Sequence, residues 1–315
     1  MSETGVPNID QIIKAGFDYG SSGAPVRRKT NRRKASVPYL LSAPAVLWLI
    51  LFFLVPTIYM FTVSLDEGLL GPGMHFAWKW SNYSTALTTF QPQLFRAVEY
   101  ALLATIVTLL VGYPVAYWIS FYGGRRKNVF LLLLLVPFFV SFVLRTYQWA
   151  FLLSDQGIVV STLRRLGVVG EGFHITSTGY AVVFGIAYNF LPFTVLPLYV
   201  ALERIEPRLL EAGRDLYADR NTTFRKVVWP LALPGVFAAF LLTFVPAVGD
   251  FINFQYLGGP SNGMIGNNIQ VLYRENYDYP HGAALSFVLM AVLLVGASLY
   301  ARALGTEAVM EATAA

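Results

Sequence analysis

The chain has 315 residues, of which 56% are hydrophobic and 13% charged, with a formal net charge of +5. Average soluble domains carry about 25% charged residues, and the apolar residues here come in long blocks, so the composition points to a bilayer as solvent. With no cysteine, disulfides, thiolate metal sites and Cys nucleophiles are excluded, and His75, His174 and His281 are too scattered to suggest a metal site.

The N-terminus, residues 1–37, is polar and rich in Gly, Ser and basic residues. It is too polar for the apolar core of a signal peptide. It ends in Arg27, Arg28, Lys29, Arg32, Arg33 and Lys34, which reads as a disordered cytoplasmic tail with a polybasic anchor for the lipid surface. The apolar part, 38–306, holds six stretches near the ~20 residues that a membrane helix needs. They run from Tyr39 to Leu65, Ala97 to Phe121, Asn128 to Leu153, Tyr180 to Leu202, Leu231 to Leu257 and Ala283 to Leu304. Residues 307–315 read as a second cytoplasmic tail.

The alternating loops differ in charge. With the N-terminus inside, seventeen Lys and Arg fall on the cytoplasmic side and five outside, with Arg145 within a span. Both termini are therefore expected in the cytoplasm, and the basic residues orient the chain rather than bind nucleic acid. Pro56, Pro114, Pro137, Pro192, Pro197, Pro234 and Pro246 recur in the spans. They read equally as packing kinks or as breaks lining a pathway. The loop from Asp155 to Gly179 suggests a short helix around Val160 to Leu166.

The polar segment between spans four and five, residues 203–229, reads as two short amphipathic helices. The first follows Pro207, which suits a first helical turn, with Leu209, Leu210, Ala212, Gly213 and Leu216 on one face. The second starts at Asn221 or Thr222 and presents Phe224, Val227 and Val228 before Pro230. Such a hairpin suits either a groove on a partner or the bilayer surface.

Glu211-Ala212-Gly213, Asp215-Leu216, Phe224, Val227, Pro230-Leu231 and Pro234-Gly235 resemble the coupling loop of binding-protein-dependent ABC importer permeases. The resemblance implies an all-α integral membrane protein of six transmembrane helices, the MetI-like permease fold. It also implies that Glu211, Ala212, Gly213, Asp215, Leu216, Phe224 and Pro230 form the surface that couples to an ATPase. Two positions depart from the family pattern: Gly213 replaces an alanine, and Tyr217 stands where a turn glycine is usual. Tyrosine resists the left-handed backbone that glycine adopts freely, so a turn at Asp219 or Asn221, or an altered docking geometry, is expected. Gly112-Tyr113-Pro114, Leu135-Val136-Pro137-Phe138, Arg145-Thr146-Tyr147 and Asn189-Phe190-Leu191-Pro192 extend the likeness to the first permease subunit of spermidine/putrescine importers. That likeness implies a non-catalytic subunit with no cofactor of its own, ATP and Mg being held by partner ATPase subunits. The expected partners are an ATPase dimer, a second permease of similar fold and a periplasmic or extracellular solute-binding protein, in a bacterial inner membrane.

Polar residues inside spans are costly and default to function. Ser141, Arg145 and Gln148 share a helical face by spacing, as do Thr243, Pro246, Asp250 and Asn253. Two readings stay open. Arg145 and Asp250 form a buried neutralising pair, or Asp250, Asn253, Glu99, Arg145, Tyr188, Asn189 and Phe254 line a pathway where carboxylates and aromatic faces attract an organic cation. An ion-coupled transporter would show paired repeats with broken helices and would leave the hairpin unexplained. An intramembrane enzyme would need a nucleophile–base or metal cluster, and none stands out.

Overall fold

A computed structural model describes residues 32–303 except Pro72, Ser261 and Asn262. Most of the basic tail and the segment 304–315 lie outside the described residues. Arg32 to Val37, tail by composition, are already helical, at the start of a helix Arg32–Leu49. The chain divides into two units, 1–57 and 58–315. The first carries most of an apolar helix, α1 (Leu41–Ser64), with a π-turn over Ile50–Leu54. Nearly every side chain of α1 is exposed, as expected of a surface that lipid covers.

The second unit holds the remaining elements. A two-residue ribbon, β1 (Asp66–Glu67) with β2 (His75–Phe76), precedes α2 (Ser81–Thr89). The long helices are α3 (Gln91–Tyr122), α7 (Gly179–Glu203), α9 (Arg220–Val248) and α12 (Tyr279–Ala303). Between them lie α4 (Lys127–Leu135), α5 (Phe142–Leu153), α6 (Ile158–Arg165), α8 (Pro207–Asp215), α10 (Ile252–Leu257) and α11 (Ile265–Arg274). The short helix expected in the loop after span three is α6.

Three spans differ from their sequence outlines. Span two starts at Gln91, six residues early, because Pro92 sits in the first turn where its missing N–H costs nothing. Span three is broken. Val136–Phe139 form a 3₁₀ turn, Val140 and Ser141 are extended, and the halves Gly124–Phe139 and Phe142–Arg165 meet at 85°. Pro137, which lacks an N–H for the ladder, sits at this break, whereas Pro114, Pro192, Pro197, Pro234 and Pro246 remain inside continuous helices. Span five ends at Val248 rather than Leu257, and α10 follows as a separate helix after Gly249–Phe251. Among the described residues, five helices are long and apolar enough to cross a bilayer, or six if the bent pair is one broken span.

In a bilayer, helices associate through close packing of small residues rather than by escaping water. The buried face of α3 follows that rule, with Ala97, Ala101, Ala104, Thr105, Thr108, Gly112 and Ala116. A side chain at Gly112 would press on Thr194 and Val195 of α7, and one at Gly235 of α9 would overlap Ala201 of α7. Thr194 and Thr243 hydrogen-bond at 2.7 Å between α7 and α9. Thr105 and Thr108 satisfy their hydroxyls on the carbonyls of Ala101 and Ala104. These four threonines are therefore buried without leaving their hydroxyls unpaired.

Candidate coupling and translocation sites

The segment after α7 folds as the expected hairpin, with two corrections. Asp219, not Asn221 or Thr222, caps its second arm, accepting the Thr222 N–H at 3.2 Å. Hydrogen bonding to the Thr222 side chain, and then to its backbone N–H, holds the Asp219 carboxyl below its usual pKa. The second arm does not stop before Pro230 either. Arg220–Thr223 continue through a π-turn, Phe224–Val228, directly into the apolar rod of α9. Pro230 falls in the first turn after the π-turn, where the extra residue of the wider turn accommodates it.

The turn between the arms is left-handed at Tyr217 itself, with φ +55°. Ala218 N–H bonds to Gly213 O at 3.0 Å and Tyr217 N–H to Arg214 O at 2.9 Å. These are the two bonds of a glycine-type helix stop. The expectation that tyrosine would move the turn elsewhere is therefore overturned: this chain keeps the glycine geometry and tolerates the strain. Gly213 faces Thr223, whose Oγ1 would lie 3.3 Å from an added Cβ, so a small residue lets the arms close. Phe224 packs among Tyr113, Tyr117 and Trp229 with ring centroids 5.9, 6.1 and 6.3 Å away. Glu211, Ala212, Asp215, Leu216 and Pro230 stay exposed, and Tyr217 is 98% exposed. The hairpin thus anchors one side in the helical body and offers acidic and apolar side chains on the other. Nearby, Lys127 Nζ contacts both carboxylate oxygens of Glu203 at 2.8 Å, and Ser120 donates to the same group at 3.2 Å. This cluster ties the ends of α3, α4 and α7, and nothing in the residue spacing signals it.

The polar residues of the spans do not all converge. Arg145 and Asp250 form no ion pair. Asp250 instead turns on Asn253, accepting its backbone N–H at 2.9 Å and its side-chain amide, and so stabilises the first turn of α10. Asn253 Oδ1 accepts from Asn189 Nδ2 at 3.0 Å and from Thr146 Oγ1 at 3.3 Å, while Asn189 Nδ2 also donates to Thr146 at 2.9 Å. Asp250, Asn253, Asn189 and Thr146 thus make one buried chain across α5, α7 and α10. Spacing does not pick out Thr146, because the helical face counted from Ser141 passes through Arg145. Ser141 lies outside the helix, and Gln148 is exposed. Asn189 Oδ1 has no partner.

Arg145 is buried, 9% exposed, with its Nε and Nη1 unpartnered. Its guanidinium lies 4.1 Å from the Phe138 ring, across the break of span three. Phe138 stacks with Tyr188 at 6.1 Å, and Tyr188 meets Trp149 at 5.2 Å. Tyr188 also lines a cavity of about 180 Å³ with Thr108 and Phe184. Phe254 is buried beside the network, whereas Glu99 is exposed on α3 and takes no part in it.

Residues 108–304 match the family model described as binding-protein-dependent transport system inner membrane component. The chain is 34% identical over 257 residues to the spermidine/putrescine transport system permease protein PotB of Escherichia coli (strain K12), covering 81% of this chain and 94% of that protein. The protein of the same name in Haemophilus influenzae (strain ATCC 51907 / DSM 11121 / KW20 / Rd) is 34% identical over 251 residues, with 78% and 88% covered. Among solved structures, a bacterial alginate ABC transporter in complex with an alginate pentasaccharide-bound periplasmic protein aligns with a TM-score of 0.61 at 19% identity, over 86% of this chain and 94% of that chain. That last likeness concerns the fold alone. The chain belongs to the family of binding-protein-dependent transport system inner membrane components, the multi-pass permease subunits of ABC importers.

Proposed function

We propose that this permease carries a small aliphatic polyamine, such as spermidine or putrescine, into the cell, driven by ATP hydrolysis on a partner subunit. The observation that carries the cargo is the 34% identity to a spermidine/putrescine permease across 94% of that protein's length. The hairpin of α8 and the start of α9 docks on an ATPase dimer that holds ATP and Mg. A second permease of similar fold completes the channel, and a solute-binding protein delivers cargo on the opposite face. The excess of Lys and Arg on the hairpin side favours cytoplasmic termini. The aromatic cluster at Phe138, Tyr188 and Trp149 and the buried chain around Asn253 and Asp250 are the candidate pathway.

A second reading of the cargo rests on Arg145. The unpartnered Nε and Nη1 nitrogens of that guanidinium, beside Tyr188, suit a solute that carries a carboxylate or phosphate as well as an amine. One experiment decides between them: ATPase activity of the reconstituted complex with its binding protein, against a panel of polyamines, amino acids and phosphorylated amines. Stimulation by polyamines supports the first reading, and stimulation only by anion-bearing amines replaces it with the second.

A further inference from the structure

We propose that the pocket at the junction of β1 and the start of α12 is a binding site for a primary ammonium group. It encloses about 140 Å³ on the face opposite the coupling hairpin. One wall is β1 and the turn that follows it, where the Leu70 N–H bonds to Tyr277 O at 3.0 Å and so fixes the turn to the approach of α12. Three carboxylates line the pocket: Asp66, Glu67 and Asp278.

Two of them are already matched. Glu67 is bridged to Lys79 at 2.5 Å. Asp278 caps α12 by accepting the His281 backbone N–H at 3.3 Å, and the His281 ring lies 2.9 Å from both its oxygens. Asp66 differs. It is 9% exposed, its carbonyl is taken by Asn82 at 2.9 Å, and its carboxylate accepts no hydrogen bond from a described residue. The residue is mostly buried, yet its carboxylate oxygens are not enclosed: they open on the pocket, where a cation would supply the partner that the chain does not.

Charge and size agree on the ligand. Among the lining residues, three carboxylates stand against one lysine and one histidine, so the lining itself is net negative whether or not His281 is protonated. Burial pushes the Asp66 carboxyl up, and His75 on β2 pulls it partly back down. An ammonium group would complete that compensation at shorter range. The volume admits the end of an unbranched amine, with Leu69 and Pro280 lining the space its methylenes would cross. A free diamine and a lysine side chain of a docking protein carry the same group, and the test separates them.

The complex is placed in lipid nanodiscs without nucleotide and titrated with putrescine by calorimetry at constant ionic strength. A parallel titration uses the solute-binding protein. Neither needs transport, so a wrong cargo assignment leaves the result readable. Saturable putrescine binding that falls at least tenfold in Asp66→Asn, but not in Asp155→Asn, identifies the ligand as a free amine. No putrescine binding, but a tenfold loss of binding-protein affinity in Asp66→Asn alone, identifies it as a lysine of that protein. Lys79→Gln removes a competing cation and should tighten whichever interaction is seen, which keeps the test informative if Asp66→Asn does not fold. Both affinities unchanged in Asp66→Asn, or in Lys79→Gln if that variant alone folds, would overturn the site.

Discussion

A tyrosine held left-handed at the tip of an exposed turn gains nothing from its own chain. Tyr217 is 98% exposed at φ +55°, and a non-glycine residue there costs about 1 kcal/mol or more. Tyr217→Gly should therefore slow amide exchange in the hairpin. If the ring meets the ATPase, the same variant lowers ATP-driven uptake at equal abundance; unchanged uptake would make the tyrosine neutral. Arg145 poses the opposite balance. Stacking on Phe138 contributes about 1–2 kcal/mol, while the buried, unpartnered Nε and Nη1 nitrogens cost about 1–3 kcal/mol each. Arg145→Met should raise the melting temperature of the purified complex by a few degrees, and a fall would mean that the guanidinium is satisfied in the assembled state. Spacing singles out Arg145, Asp250 and Asn253, and position within a span singles out Asn189, and all four are buried polar groups. The spacing does not pair them correctly, because period-3.6 counting assumes unbroken helices. Both α5 and α10 begin at breaks, which rephase every side chain beyond them.

Elements, by contrast, are largely legible in the sequence. Long apolar runs require helices in lipid, since no other local structure satisfies the backbone, and five of the six spans appear as such. The break in span three is written only as Pro137, one of seven prolines, and the others kink nothing of this size. The junction of hairpin and α9 misleads for a related reason: Pro230 looks like a helix stop, yet it directly follows a turn widened by the π-bulge. That continuity can be tested. Inserting Gly-Gly between Lys226 and Val227 leaves both helices able to form but interrupts the rod. Nucleotide hydrolysis should persist while solute uptake falls by an order of magnitude or more; retained uptake would show that the hairpin communicates by another route.

At the scale of the whole molecule, the exposed apolar belt, the small-residue interfaces and the charge asymmetry of the loops all describe one subunit of a larger machine. Glu211 is exposed and makes no hydrogen bond or ion pair among the described residues, so Glu211→Lys should leave membrane insertion and melting unchanged while abolishing ATP-dependent uptake. A matching loss of protein would make it structural instead. The rod of α9 gives this assembly a mechanical character. Its 29 residues span about 44 Å at ~1.5 Å per residue. One end carries the hairpin, and the other stops two residues short of Asp250. A tilt of about 10° around a pivot at its midpoint would sweep the two ends roughly 4 Å in opposite directions. If the hairpin docks on the ATPase as proposed, the helix is a lever: a push at that end arrives, reversed, at the buried amides around Asn253, a displacement large enough to part hydrogen bonds of about 3 Å.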